Sequence, residues 1–151
     1  MKFPIFKSGF TLVELLISIA IIGILAVIVL SSLNQSRTRA YDARVKEQLA
    51  RFRGAAEIYY SNEDPNGYTP AVANCTTLNT IFTDTDAMNG SPGVYLDFKN
   101  VNPPVTTVCQ SIQNAYALKA TLPSGGYFCI DSRGIARVYA GAIGGPVTQC
   151  P

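Results

Sequence analysis

An uncharged apolar run near the N-terminus constrains this 151-residue chain more than any other feature of its sequence. Residues 15–33 are nineteen consecutive uncharged residues, most of them Leu, Ile, Val or Ala. At a rise of about 1.5 Å per residue, a helix over residues 10–33 is about 36 Å long, which exceeds the roughly 30 Å hydrocarbon core of a bilayer. The run therefore predicts a membrane-spanning helix.

An ordinary secretory leader is the nearest alternative for this segment. Lys2 and Lys7 would supply its basic start, and the apolar run would be its hydrophobic region. A cleaved leader, however, ends in a shorter run followed by small residues, whereas this run is long and leads into Asn34 and Gln35. We therefore expect the apolar helix to remain in the mature protein.

One acidic residue, Glu14, lies near the start of the apolar helix. An ionised carboxylate in a bilayer costs at least a few kcal/mol unless it finds a partner or lies near the interface. Snorkelling to the lipid headgroups from the helix end is one way to satisfy it. The residues around Glu14 favour a different role.

The segment K-S-G-F-T-L-V-E-L at residues 7–15 closely resembles the class III leader of type IV prepilins and pseudopilins. The resemblance rests on a short basic leader ending in Gly9, on Phe10 directly after it, and on Glu14 as the fifth residue counted from Phe10. It implies that a membrane-embedded prepilin peptidase cuts between Gly9 and Phe10 and N-methylates the new terminus at Phe10. It also implies that Glu14 pairs with the Phe10 amine of a neighbouring subunit, an assembly role rather than a catalytic one.

Basic residues flank the apolar run on both sides, so the positive-inside rule alone does not decide its orientation in the membrane. Two lysines precede the run, and four basic residues follow it closely: Arg37, Arg39, Arg44 and Lys46. We expect the C-terminal part to lie outside the cytoplasm, because long domains cross largely regardless of flanking charge and because the cysteines favour an oxidising compartment.

Beyond the run, apolar residues recur at three- and four-residue spacing from Tyr41 to Tyr59, with charged residues between them. The sequence predicts one continuous helix over residues 10–61, ended by a polar stretch that contains Pro65 and Gly67. With a net charge of only +2, nucleic acid is not an expected partner. The basic residues of this helix are more simply interpreted as a solvated face, or as partners of acidic residues on neighbouring subunits, than as a site for lipid headgroups.

Short alternating runs predict strands in the rest of the chain, at residues 94–98, 116–122, 127–131 and 135–139. Tight connections join the last three strands, which predicts an antiparallel meander. The one-sided face of the helix would cover the sheet. The predicted fold is α+β and resembles the pilin fold: a long N-terminal helix, with a membrane-spanning first half and an amphipathic second half, packed on a small antiparallel sheet. The phrase Y-F-C-I-D-S-R-G at residues 127–134 also resembles a feature of pilin-like proteins.

All four cysteines follow the membrane run, as expected for an exported part that forms disulfides. Four cysteines allow three connectivities, and the sequence does not choose among them. We favour Cys75 with Cys109 and Cys129 with Cys150, because the second pair would fix the Gly-rich C-terminal segment to the sheet. Free thiols or a four-thiolate zinc site are the alternatives, although no C-x-x-C spacing occurs.

Signals for metal, cofactor or catalysis are weak. The chain has no histidine, which excludes nucleophilic catalysis by a serine or cysteine that is activated by a histidine base. Asp84, Asp86 and Asn89 resemble half of a calcium loop, but no downstream Glu completes it, and an acidic turn is the alternative. We therefore expect no cofactor, no metal and no enzymatic activity.

The sequence predicts a structural subunit of a type IV pilus-like filament. The expected parts are a leader at 1–9, a transmembrane and assembly helix at 10–33, its amphipathic continuation at 34–61 and a disulfide-stapled head at 62–151. Expected partners are further copies, the prepilin peptidase, an inner-membrane assembly platform with its ATPase, and membrane lipid before assembly. The expected location is the inner membrane first and then an extracellular pilus or periplasmic pseudopilus. Alternatives are a pseudopilin of a type II secretion or DNA-uptake system, or a membrane-tethered binding domain that never polymerises.

Overall fold

A computed structural model describes residues 9–63, 65–98, 101–102 and 104–151. Most of the predicted leader, residues 1–8, lies outside the described residues. The chain divides into two compact units, Met1–Arg37 and Thr38–Pro151. One long helix and a four-stranded antiparallel sheet are the main elements, so the predicted α+β, pilin-like fold is confirmed.

Helix α1 runs from Leu12 to Asn62, close to the predicted residues 10–61. It is continuous because no proline falls within it and its two glycines, Gly23 and Gly54, are isolated within long runs of helix-compatible residues. In the described part of the chain α1 is the helix that is long and apolar enough to cross a membrane. None of its most apolar stretch is buried within the protein.

The sheet contains strands β1 (Thr107–Ile112), β2 (Ala115–Thr121), β3 (Tyr127–Asp131) and β4 (Ala136–Tyr139). The strands lie in sequence order, and every neighbouring pair is antiparallel. Strands β2 to β4 form the predicted meander. The β2–β3 turn uses Gly125 and Gly126, both of which have positive φ angles of 106° and 74° that favour glycine.

One predicted strand is wrong, and one observed strand was not predicted. Residues 94–98 do not form a strand, because Pro92–Leu96 is a 3-10 helix in which Pro92 occupies the first turn. Strand β1 was not predicted, since its inward residues are Cys109 and Ser111 rather than large apolar side chains, so the alternation of hydrophobicity is faint.

The core of the second unit lies between the later turns of α1 and one face of the sheet. Fully buried aromatic rings meet at its centre, where Phe52 stacks on Phe82 at 5.8 Å and meets the edge of Tyr116 at 5.7 Å between ring centroids. Tyr68 packs against Tyr116 at 4.8 Å. The buried helix residues recur at three- and four-residue spacing, as the amphipathic pattern predicts: Val45, Leu49, Phe52, Ala56 and Tyr59.

The opposite face of the sheet is covered by the C-terminal segment. Cys150 packs with Tyr127 and Cys129 in a second, smaller core. The ammonium of Lys119, which is buried in this region, donates to the Gly145 carbonyl at 3.0 Å, and burial lowers the pKa of Lys119. β3 is therefore covered on both faces, which explains why all five of its residues are buried.

Two disulfides close loops in the second unit. Cys75 is bonded to Cys109, and Cys129 is bonded to Cys150. These are the pairings favoured from the sequence, and no free cysteine remains among the described residues. By joining β3 to the C-terminal segment, the second bond fixes a Gly-rich stretch that has no regular structure of its own.

Asp131, at the end of β3, is a fully buried carboxylate that organises the C-terminal segment. Its Oδ2 accepts hydrogen bonds from the Cys150 amide at 3.0 Å and from the Arg133 guanidinium at 2.9 Å. Its Oδ1 accepts from the amide of Ile135 at 3.0 Å. Burial raises the pKa of Asp131, but the hydrogen bonds from Cys150, Arg133 and Ile135 outweigh it and hold the pKa below its ordinary value.

Asp131→Asn is expected to destabilise the second unit by about 3 kcal/mol. The side-chain NH2 of Asn would replace one carboxylate oxygen, and it cannot accept the hydrogen bonds that the Cys150 amide and the Arg133 guanidinium now donate to Oδ2. A carboxyl whose pKa is depressed by folding stabilises the protein above its unfolded value of about 3.9, and that stabilisation is lost as the pH falls through the folded pKa. Denaturant unfolding of the full chain in detergent should therefore show a wild-type advantage at pH 7 that shrinks below about pH 4.

Asp86→Asn is the matched control, because Asp86 is an exposed carboxylate on a loop. It should change the unfolding free energy by less than about 1 kcal/mol at every pH. An equal loss in both variants, or a wild-type advantage that does not depend on pH, would contradict the role given to Asp131.

Candidate processing and assembly site

Gly9 and Phe10 lie outside regular structure, just before α1 begins at Leu12. Both residues are exposed, and a Cβ atom placed at Gly9 would meet no other atom within 4 Å. The bond between them is therefore not held inside the helix or against another part of the described chain. An accessible, non-helical peptide bond is what a protease needs in order to bind its substrate in an extended form.

Thr11 and Glu14 close the first turn of α1 as a reciprocal capping box. The Thr11 amide and hydroxyl donate to Glu14 Oε2 at 2.9 and 2.7 Å, and the Glu14 amide donates to the Thr11 hydroxyl at 3.3 Å. This arrangement satisfies backbone donors that a helix start otherwise leaves unpaired. It also gives the Glu14 carboxylate local partners at the favourable end of the helix dipole.

Two of the three serine side chains in the apolar run donate hydrogen bonds within the helix itself. The Ser18 hydroxyl donates to the Glu14 carbonyl at 2.8 Å, and the Ser31 hydroxyl donates to the Ile28 carbonyl at 2.9 Å. Backbone carbonyls thus accept both hydroxyl protons, as is required where no water is present. The run can enter a hydrocarbon layer, or an equally dry environment, without leaving these hydroxyls unpaired.

The apolar side chains of this run are exposed over the whole first part of α1. Phe10 is 78% exposed, and Leu12 to Leu30 include many Leu, Ile and Val residues that are more than half exposed. Soluble proteins rarely leave an apolar surface of this extent uncovered. Such a surface requires lipid or other protein chains around it.

The predicted site residues fall into two separate groups. Gly9, Phe10 and Glu14 lie within five residues of one another at the start of α1, whereas the four cysteines form the two disulfides of the second unit. In this chain the Glu14 carboxylate binds Thr11. Its pairing with a Phe10 amine, which exists only after cleavage, remains a prediction.

Sequence reasoning missed the role of Thr11. The signal was present, because a Thr followed three residues later by Glu just before an apolar run is the pattern of a capping box. The residues that resemble half a calcium loop form hydrogen bonds to one another: Asp84 accepts from the Asp86 amide at 2.7 Å and from the Asn89 side chain at 2.9 Å. In the described part of the chain, no group of three or more His, Cys, Asp or Glu residues is placed to hold a metal.

A long N-terminal helix with an exposed apolar start, packed through its later turns on a small antiparallel sheet, defines a pilin-like protein. Residues 6–30 match the family model of the prokaryotic N-terminal methylation motif, which is the class III signal motif of type IV prepilins. This match confirms the resemblance found in the sequence. No curated protein and no solved structure matches the chain significantly.

The motif supports a structural, pilin-like or pseudopilin-like protein rather than an enzyme. It implies processing by a prepilin peptidase and assembly into pilin-type oligomers. An N-terminal apolar helix that carries this motif also fits a precursor anchored in the membrane.

Proposed function

We propose that this chain is a structural subunit of a type IV pilus-like filament. The prepilin peptidase removes residues 1–9 by cutting between Gly9 and Phe10 and methylates the Phe10 amine. Residues 10–33 then hold the subunit in the inner membrane, with residues 34–61 continuing the helix and residues 62–151 forming the exported head. The observation that best supports the proposal is that the methylation motif coincides with an apolar run, at the start of α1, whose side chains are exposed.

Extraction of this helix from lipid is tolerable only if it enters another dry environment. Further copies of the same helix supply one, and a repeated contact between identical chains produces a helical filament when it does not close. The second unit has its own aromatic core and two disulfides, so it does not depend on the apolar run for its stability. The run is therefore free to exchange lipid for neighbouring subunits.

In this proposal, Glu14 sets the axial position of each subunit relative to its neighbour in the filament. Cleavage creates a cationic amine at Phe10, and a carboxylate and an ammonium that meet in a low dielectric are costly to separate. A newly arriving subunit that places Glu14 against the Phe10 amine of its neighbour satisfies both charges at once. Docking one turn too high or too low leaves both charges unpaired.

The proposed partners are further copies of the chain, the prepilin peptidase, and an inner-membrane assembly platform with its ATPase. A pseudopilin of a type II secretion or DNA-uptake system would use the same chemistry in the periplasm. A membrane-tethered binding domain would keep the helix in lipid and would not polymerise.

Expression in cells that contain the peptidase and the assembly machinery tests the proposal. A filament subunit should appear in material sheared from the cell surface, and electron microscopy should show fibres labelled by an antibody against the second unit. A pseudopilin should instead form periplasmic fibres when overproduced. A chain found only in the membrane fraction, with no fibres in either compartment, would overturn the proposal.

A further inference from the structure

Strand β3 and the turn after it, residues 127–134, form one side of a contact with the end of the chain. The side chains of Tyr127, Cys129 and Asp131 alternate along the strand, so they project from the same face of the sheet. Cys150 packs on this face, against Tyr127 and Cys129. Asp131 therefore lies next to the disulfide, two residues along β3 from one of its cysteines.

The turn after β3 holds the Asp131 carboxylate in place through local contacts. Its Oδ1 accepts from the backbone amides of Arg133 and Ile135, both at 3.0 Å. The Gly134 amide donates to the Asp131 carbonyl at 3.1 Å, and the φ angle of Gly134 is 92°, which favours glycine. Because all these partners lie in the turn itself, the carboxylate can be positioned before the distant C-terminal residues reach it.

Asp131 and Arg133 together hold both backbone polar groups of Cys150. Asp131 Oδ2 accepts from the Cys150 amide at 3.0 Å, and the Arg133 guanidinium donates to the Cys150 carbonyl at 3.1 Å. The same guanidinium forms a salt bridge of 2.9 Å with Asp131 Oδ2. We call these two side chains the Cys150 clamp. Its hydrogen bonds involve ionised groups, which bind more strongly than neutral ones.

The rest of the C-terminal segment contributes little burial. Within residues 141–151, Cys150 is the one buried residue, and most of the others are exposed. The segment has no helix or strand, and its glycines add conformational freedom that docking must overcome. Two further hydrogen bonds hold it, from Lys119 to the Gly145 carbonyl at 3.0 Å and from Tyr139 to the Pro151 carbonyl at 2.6 Å. Because so little apolar surface is covered, the Cys150 clamp supplies a large share of the non-covalent attachment.

The two disulfides belong to different cores. Cys75 and Cys109 pack in the core that α1 covers, whereas Cys129 and Cys150 pack in the smaller core on the other face of the sheet. Four thiols have three possible connectivities. A reduced chain whose Cys150 is held on the outer face places that thiol beside Cys129 and away from the other two cysteines.

We propose that the Cys150 clamp binds the reduced C-terminal segment and thereby selects Cys129 as the partner of Cys150. The bond then closes by exchange with a small-molecule disulfide such as oxidised glutathione. The two cysteine thiols lose two protons and two electrons and form the S–S bond, and the oxidant gains them and leaves as two thiols. Asp131 and Arg133 are positioning residues, because they act through the location of Cys150 and take no part in the exchange.

Redox equilibration of the full chain in detergent tests the proposal. The chain is held in glutathione buffers of graded composition, and mass analysis of its peptides reports the reduced fraction of each disulfide separately. Asp131→Asn should make Cys129–Cys150 about tenfold easier to reduce, a shift of about 30 mV, because the bond forms only from the docked fraction of the reduced segment. Cys75–Cys109 should shift by less than about twofold, since it lies in the other core.

Arg133→Met tests the same clamp with less risk to folding, because the Arg133 side chain is 50% exposed. It removes the donor to the Cys150 carbonyl and should make Cys129–Cys150 about threefold easier to reduce. Asp86→Asn is the matched control, since it changes an exposed carboxylate on a loop. This control should shift neither disulfide.

Hydrogen exchange tests docking without the bond. In the double variant Cys129→Ala/Cys150→Ala, the amide of residue 150 should still be protected, because its acceptor is the carboxylate of Asp131 and not a sulfur. Adding Asp131→Asn should remove that protection.

Equal shifts of both disulfides in Asp131→Asn would show a general loss of stability and would overturn the proposal. An unchanged Cys129–Cys150 equilibrium in both clamp variants would do the same. Rapid exchange at residue 150 in the double alanine variant would contradict docking ahead of the bond. None of these outcomes depends on whether the chain forms filaments.

Discussion

Glu14→Ala is expected to abolish filaments while leaving the subunit in the membrane. Loss of the carboxylate leaves the Phe10 amine of the neighbouring subunit unpaired in a dry environment, which costs about 3–5 kcal/mol for each contact. Each addition step would then be weakened by roughly 10²–10⁴-fold. The apolar helix itself is unchanged, so membrane insertion should not be affected. The measurement is the ratio of subunit in sheared filaments to subunit in the membrane fraction.

Three further variants separate the charge of Glu14 from its role in the capping box. Glu14→Gln keeps a side chain able to close the capping box but removes the charge, and it should also fail to assemble. Thr11→Ala breaks the capping box but keeps the charge, and it should assemble. Glu47→Ala removes a carboxylate from the exposed pair with Arg51 and should have little effect. Assembly by Glu14→Gln, or its loss in Thr11→Ala, would show that capping rather than charge is what matters.

Gly9→Val is expected to block processing, so that the uncleaved precursor accumulates in the membrane and no filament forms. A β-branched side chain stiffens the backbone beside the scissile bond and fills space that the peptidase must approach closely. The structure predicts no damage to the chain itself, because a Cβ at Gly9 meets no atom within 4 Å. Electrophoretic mobility and the mass of the membrane-bound subunit measure the effect.

Gly23→Val is the matched control, because a Cβ at Gly23 likewise meets no atom within 4 Å. Gly23 lies in the apolar run and away from the scissile bond, so this variant should be cleaved at the wild-type rate. Normal cleavage of Gly9→Val, or equal loss of cleavage in both variants, would contradict the assignment of Gly9 to the processing site.

Elements with strong periodicity or clear turn residues were predictable from the sequence. α1 follows from an unbroken apolar run that continues into a pattern with three- and four-residue spacing, and the meander follows from apolar strands joined by turns at Gly126 and Gly134. β1 was not predictable in this way. It turns small and polar side chains inward, and its position depends on pairing with β2 and on the Cys75–Cys109 bond.

The N-terminal methylation motif was predictable because it is encoded in nearby residues of the sequence. Gly9, Phe10 and Glu14 occupy fixed positions at the start of one helix, so their spacing in sequence sets their spacing in space. The Asp131 network was not predictable, since it joins β3 to Cys150, which is 19 residues away in the chain. A buried carboxylate that accepts hydrogen bonds across that separation leaves no periodic signal in the sequence.

The mass of the N-terminal peptide of the subunit, recovered from sheared fibres and from the membrane, tests the central claim most directly. A mature chain that starts at Phe10, with one methyl group on its α-amine and the apolar helix retained, is the predicted result. A chain that begins beyond residue 33, with the apolar helix removed, would contradict the whole account.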